Sequence, residues 1–288
     1  LEVLLLDVSI SAFIPLIIAS ATGALISKII LQDEILLSFE LQQPFNYFNT
    51  PFYILLGVLA GLISVYHSRI FASIEGIFSK SKYNLYLKAA MGCVLLSFLI
   101  FIFPSLFGEG YESIKILSLQ LPEKLLDNSF FQNYQSNEWF VLFFVGALVF
   151  IKAIATALTI GSGGNGGNFA PSLFVGAYLG FFFSRLINVL GFTKLPESNF
   201  TIVGMAGILS GLYHAPLTAI FLIAEITGGY ELIIPLMIVA SISYVVVKRF
   251  HPESLDVRRL KDKGTIVSDN KDTSILSKID TKEMIETD

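Results

Sequence analysis

Gly161-Ser-Gly-Gly-Asn-Gly-Gly-Asn-Phe-Ala-Pro171, running on into Ser172-Leu-Phe-Val-Gly-Ala-Tyr-Leu-Gly180, sets a flexible glycine turn directly before an apolar segment. Pro171 suits the first turn of a helix, so the segment beyond the turn is expected to be helical. A helix starting here aims unpaired backbone N–H groups and the positive end of its dipole into apolar surroundings. That arrangement suits an anion. The turn holds no Lys or Arg, and a fixed cation there would bind a small anion too tightly to let it pass. No Gly-Lys-Ser/Thr follows, which excludes a nucleotide-binding P-loop. The same glycines also suit close helix packing, and spacing alone leaves both readings open.

The surroundings of this turn are apolar over long distances. Ala153 to Ser184 carries no charge, and neither do Pro51–Ser68, Ala89–Phe107, Ser198–Ala224 up to its closing acid, or Leu232–Val247. Hydrophobic residues make up 54% of the chain and charged residues 15%, with a mean hydropathy of +0.71. Soluble domains carry about one quarter charged residues. Uncharged runs of this length are long enough to cross about 30 Å of hydrocarbon. The expected class is an all-α, multi-pass integral membrane protein in contact with a lipid bilayer. Glycines and prolines interrupt most of the runs, at Pro15, Gly57, Gly61, Pro104, Gly204, Gly207, Gly211, Pro216 and Pro235 among others. They predict a polytopic bundle of tilted and broken helices, with irregular backbone buried in protein or lining a cavity.

Residues 1–250 read as the transmembrane part and 251–288 as a polar tail, too short to bury a core by itself. The chain opens at Leu1 inside an apolar run, and both ends are expected to be cuts in a longer protein. The segment His67–Lys88 reads as a loop whose Arg69, Lys80, Lys82 and Lys88 outnumber Glu75. The positive-inside rule would place it in the cytoplasm.

Other candidate residues are few. Phe107-Gly-Glu-Gly-Tyr-Glu-Ser113 is a second glycine turn, read by itself as a loop at a membrane boundary. His214 and Glu225 are polar groups in an apolar setting, expected to be structural hydrogen-bonding residues, with proton handling as the alternative. Three histidines and one cysteine give no metal site and no disulfide. No cofactor is expected, no nucleophile–base pair suggests an enzyme, and no basic patch suggests nucleic acid.

Gly166-Gly-Asn-Phe-Ala-Pro171 resembles the GxFxP motif of the CLC chloride channels and chloride/proton exchangers. Residues 204–236, through Gly228-Gly-Tyr-Glu-Leu-Ile-Ile-Pro235, resemble the family's late helices, and Gly108-Glu-Gly-Tyr-Glu112 resembles its second-half glycine turn. The likeness covers about residues 1–260. It implies the second half of a CLC-type inverted repeat, in a two-pore homodimer of a bacterial inner or plasma membrane, that moves chloride and, as an exchanger, protons. By that likeness Gly167, Asn168, Phe169, Ala170 and Pro171 hold the anion, through the backbone amides of Asn168 and Phe169. Asp256 falls where the family carries an inner-gate tyrosine. Glu34 is the candidate proton relay, against a plain loop acid. The His67–Lys88 segment would lie outside, against the charge count. The family's GSGxP and GKxGP-type motifs are absent from this chain and belong to the first half. The tail resembles the lead-in to paired CBS domains. A cation-coupled carrier and a non-transporting remnant are the readings from other classes.

Overall fold

The computed structural model describes residues 10–31, 44–127 and 129–262. Among them are ten α-helices and no strands: α1 (Ile10–Leu31), α2 (Thr50–Lys80), α3 (Leu85–Ile102), α4 (Tyr111–Ser118), α5 (Glu138–Gly161), α6 (Phe169–Val189), α7 (Glu197–Tyr213), α8 (Pro216–Thr227), α9 (Ile233–Phe250) and α10 (Leu255–Asp262). Five helical segments are long and apolar enough to cross a membrane. The helices differ widely in reach. α2 has 31 residues, about 46 Å at 1.5 Å per residue, which exceeds the hydrocarbon thickness and requires tilt or protrusion. α8 has 12 residues, about 18 Å, and is too short to cross.

The core is built around α7, where every residue from Glu197 to Leu212 is buried. α6, α2, α9 and α8 pack around it. Lipid tails are as apolar as a leucine side chain, so helices in a bilayer associate through close packing and polar contacts. Both are visible here. A side chain on Gly180 would meet the Phe200 carbonyl oxygen at 1.9 Å, and one on Gly204 would meet the Gly176 carbonyl oxygen at 2.3 Å. α6 and α7 therefore touch backbone to backbone through glycine. Serine hydroxyls add the polar contacts. Ser210 donates to Ala240 O at 2.7 Å, Ser243 to Gly207 O at 2.6 Å and Ser64 to Ile208 O at 3.3 Å, tying α7 to α9 and α2.

One expectation about organisation changes. The segment His67–Lys88 is not a loop: α2 continues to Lys80, and His67 lies buried inside it. Counting charges over 67–88 mixed helix residues with the short connection to α3. The long uncharged stretches are broken as their glycines and prolines predict. Ala153–Ser184 is divided between α5 and α6 at the glycine turn, and Ser198–Ala224 between α7 and α8 at His214.

Candidate functional site

α5 ends in a Schellman motif. Gly163 takes a left-handed conformation, φ 102°, which glycine adopts without steric cost. Its N–H donates to Ile160 O, and the Gly164 N–H donates to Thr159 O at 2.9 Å. The chain then runs exposed through Asn165–Gly167 and enters α6, with Asn168 as N-cap, Phe169 as the first helical residue and Pro171 within the first turn. The Ser172 N–H is the first to find an intrahelical acceptor, Asn168 O at 3.0 Å. The N–H groups of Asn168, Phe169 and Ala170 have no intrahelical acceptor, as at any helix start.

An Asn at N-cap normally accepts a hydrogen bond from its own first turn. Asn168 makes no such bond. Its Oδ1 instead accepts from Nε2 of His67 at 2.8 Å, across to α2. The other atoms of the pair, His67 Nδ1 and Asn168 Nδ2, are buried without partners.

The second glycine turn joins the first. A cavity of about 610 Å³ is lined by Gly108, Glu109 and Tyr111 on one side and by Gly166, Gly167, Phe169, Ala170 and Pro171 on another, with α3 and α5 between. Gly110, left-handed at φ 91°, lies against the Phe174 ring, where a side chain would come within 2.4 Å. The turn is thus seated on α6 and is more than a boundary loop. Tyr111 heads α4. Burial, reinforced by the Glu109 carboxylate, raises its phenol above the usual value and keeps it a protonated donor.

Lys152 lies in the cavity wall and is 3% exposed. Its Nζ donates to Leu106 O at 3.1 Å and Gly108 O at 3.0 Å and sits 4.6 Å from the centroid of the Phe174 ring. The glycine turn carries no cation, but the cavity wall does, and that charge is spent on holding the second turn. Sequence reasoning passed over both Lys152 and His67. The available signal was that Lys152 is the lone charge between Glu138 and Arg185, and a solitary intramembrane charge marks a site by default.

The remaining candidates stand apart from the cavity. His214 is the left-handed residue ending α7, with φ 56°, and its ring meets Tyr244 edge-on at 5.7 Å. Glu225 is exposed on α8 and accepts a hydrogen bond from the Tyr230 hydroxyl. The deeply buried acid is Glu197, 3% exposed, which an apolar run starting at Ser198 concealed. Asp256 lies in the first turn of α10, half-buried, and is not among the cavity residues. Its neighbour Leu255 packs on Phe71 and Ala157. Glu34 lies outside the described residues.

A bundle of apolar, interrupted helices, five of its segments long enough to cross a bilayer, is the architecture of an integral, multi-pass membrane protein. Residues 1–248 match the model of the voltage-gated chloride channel family, and the chain belongs to that family. It is 29% identical over 211 residues to a ClcB-like chloride channel protein of Ralstonia nicotianae, covering 72% of this chain and 44% of that one. It is 26% identical over 260 residues to the voltage-gated ClC-type chloride channel ClcB of Escherichia coli O81, covering 88% and 57%. The chain thus spans about half the length of these relatives. Its fold is that of a CLC-type fluoride/proton antiporter (TM-score 0.65, 19% identity, 88% of this chain and 57% of that one). A slow cyanobacterial Cl⁻/H⁺ antiporter also shares it (TM-score 0.56, 22% identity, 79% and 50%).

Proposed function

We propose that this chain forms the second half of a membrane chloride transporter and contributes the start of α6 to its anion path. The carrying observation is the state of that helix start: the Asn168 side chain caps nothing in its own helix, so the N–H groups of Asn168, Phe169 and Ala170 remain for an external acceptor. Hydrogen-bond donors without a full charge in the turn itself bind a small anion and still release it. Gly167 and Pro171 frame these amides, one by leaving the approach open and the other by starting the helix. Two copies are expected to pair as a homodimer in a bacterial plasma membrane, with no cofactor and no enzymatic step.

The favoured mode is chloride/proton exchange, with Glu34 as proton relay and Asp256 near the inner end of the path. The two antiporters of like fold support that mode. A passive chloride channel is the second reading, favoured by the names of the ClcB relatives.

Chloride efflux from liposomes containing the full-length protein, with external pH recorded, tests the reading. Efflux that drives protons against their gradient establishes exchange, whereas efflux without proton movement establishes a channel. Absence of any anion flux from folded protein rejects transport. Replacing the peptide bond before Phe169 by an ester deletes one N–H and weakens the Asn168 carbonyl that accepts from the Ser172 N–H. The same replacement before Ser113, at the head of α4 away from the amides in question, serves as the control for the weaker carbonyl. Hydrogen bonds to charged groups are worth about 1.5–3 kcal/mol, so chloride affinity is expected to fall about tenfold or more. An unchanged affinity would reject the backbone-amide site.

A further inference from the structure

We propose that His67 is a positioning residue which keeps the Asn168 carboxamide off its own helix and so keeps the amides at the start of α6 open. The inference rests on the anion-site reading of α6 above.

Three other asparagine N-caps among the described residues behave as their chemistry dictates. Asn46 accepts from the Phe48 N–H at 3.0 Å, Asn84 from the Leu87 N–H at 2.8 Å and Asn137 from the Phe140 N–H at 3.2 Å. Each side chain closes over the first turn of the helix it begins. Asn49, which heads α2 with Pro51 in the first turn, makes no such bond. Neither does Asn168, with Pro171 in the first turn.

The usual capping donors are the N–H groups two and three residues into the turn. At α6 these positions are Ala170 and Pro171, and proline has no N–H. Only the Ala170 N–H is left for Asn168 Oδ1 to cap. Capping it would consume one of the three open amides and set a carbonyl oxygen, a negative dipole end, where an anion should sit.

The His67 Nε2–H holds Oδ1 elsewhere, at 2.8 Å. His67 reaches this point from a fully buried place in the middle of α2, so its ring has no room to swing away. The pairing is achieved at the expense of hydrogen bonding, since both His67 Nδ1 and Asn168 Nδ2 are buried with no partner. Buried polar atoms are rarely left unpaired without a reason. A cap to Ala170 would have been the ordinary solution for Asn168, and the structure does not use it.

The test is chloride titration calorimetry on the purified full-length protein, run as a double-mutant cycle. His67→Phe keeps an aromatic ring, slightly larger, and removes the donor, and it is expected to weaken chloride binding about tenfold. His67→Gln, which offers an N–H from a similar reach, is expected to restore affinity to within about twofold of the wild type. In an Asn168→Ala background no carboxamide remains to close the site, so adding His67→Phe should change affinity by less than about twofold. Equal losses in both backgrounds would mean that His67 only packs, and the proposal fails. No loss in either background would mean that Pro171 alone keeps the amides open, and the proposal again fails. If the wild type itself shows no saturable chloride binding, the anion-site reading falls and this inference falls with it. That failure is recognised by the wild-type titration alone.

Discussion

The two ends of α6 handle polar groups in opposite ways. At the C-terminal end the Arg185 and Asn188 side chains are both paired. Arg185 bridges Glu138 at 2.8 Å and Glu197 at 3.2 Å. Asn188 donates to Glu197 Oε1 at 2.9 Å and to Leu195 O at 3.0 Å, and accepts from the Leu195 N–H at 2.6 Å. At the N-terminal end three backbone amides lack an intrahelical acceptor, and the side chain that would cap them is turned away. A closed network of this kind rigidifies its surroundings. An open set of donors in apolar surroundings gains nothing for the isolated fold and suits a ligand. One helix thus carries an anchor at one end and the proposed anion site at the other.

The comparison can be broken most forcefully at the anchor. Arg185→Ala leaves the buried Glu197 carboxylate without its cation, and breaking a buried pair costs about 3–5 kcal/mol. Thermal unfolding in detergent should show a large drop, while chloride affinity of the protein that remains folded stays the same. A similar loss of affinity would mean that the two ends are coupled. Gly204→Ala comes next. It pushes a methyl group against the Gly176 carbonyl at 2.3 Å, and such overpacking costs about 1–3 kcal/mol. Its unfolding temperature should fall below that of Gly76→Ala, a helical position where a methyl group meets nothing within 4 Å.

Lys152→Met has a smaller expected effect on stability. It leaves the Leu106 and Gly108 carbonyls without their donor, at about 1–3 kcal/mol for buried groups, offset in part by removing an intramembrane charge. Its sharper consequence lies at the open end of α6. The Gly108–Gly110 turn, no longer held, should become cleavable by protease or exchange its amides faster. Protection equal to that of the wild type would show that Gly110 against Phe174 suffices to seat the turn.

Much of this was legible in the chain. The start of α6 could be read because Pro171 and the glycines before it are local instructions, acting through φ preferences and missing N–H groups. The break before α8 could be read at Pro216 for the same reason. Gly204, Gly207 and Gly211 announced close packing, and the structure supplies the partners: Gly176 and Gly180, Ala60 and Val239, and the hydroxyls of Ser64 and Ser243. What could not be read depends on residues far apart in the chain. His67 and Asn168 are 101 positions apart, and no periodicity connects them. The 31-residue α2 was hidden because charges near its end looked like a loop. Glu225 was taken for the deep acid because apolar composition does not say which face of a helix is covered, and it is Glu197 that is enclosed.

The sequence by itself determined the membrane class, the family and the place where a helix begins with its amides unpaired, because hydropathy and backbone stereochemistry are properties of short segments. Only the tertiary structure decided that both glycine turns share one cavity, that Lys152 holds one of them and that His67 takes the Asn168 side chain away from the other. Those outcomes depend on which helices pack side by side, and in an apolar solvent that choice rests on shape and a few buried hydrogen bonds between distant residues.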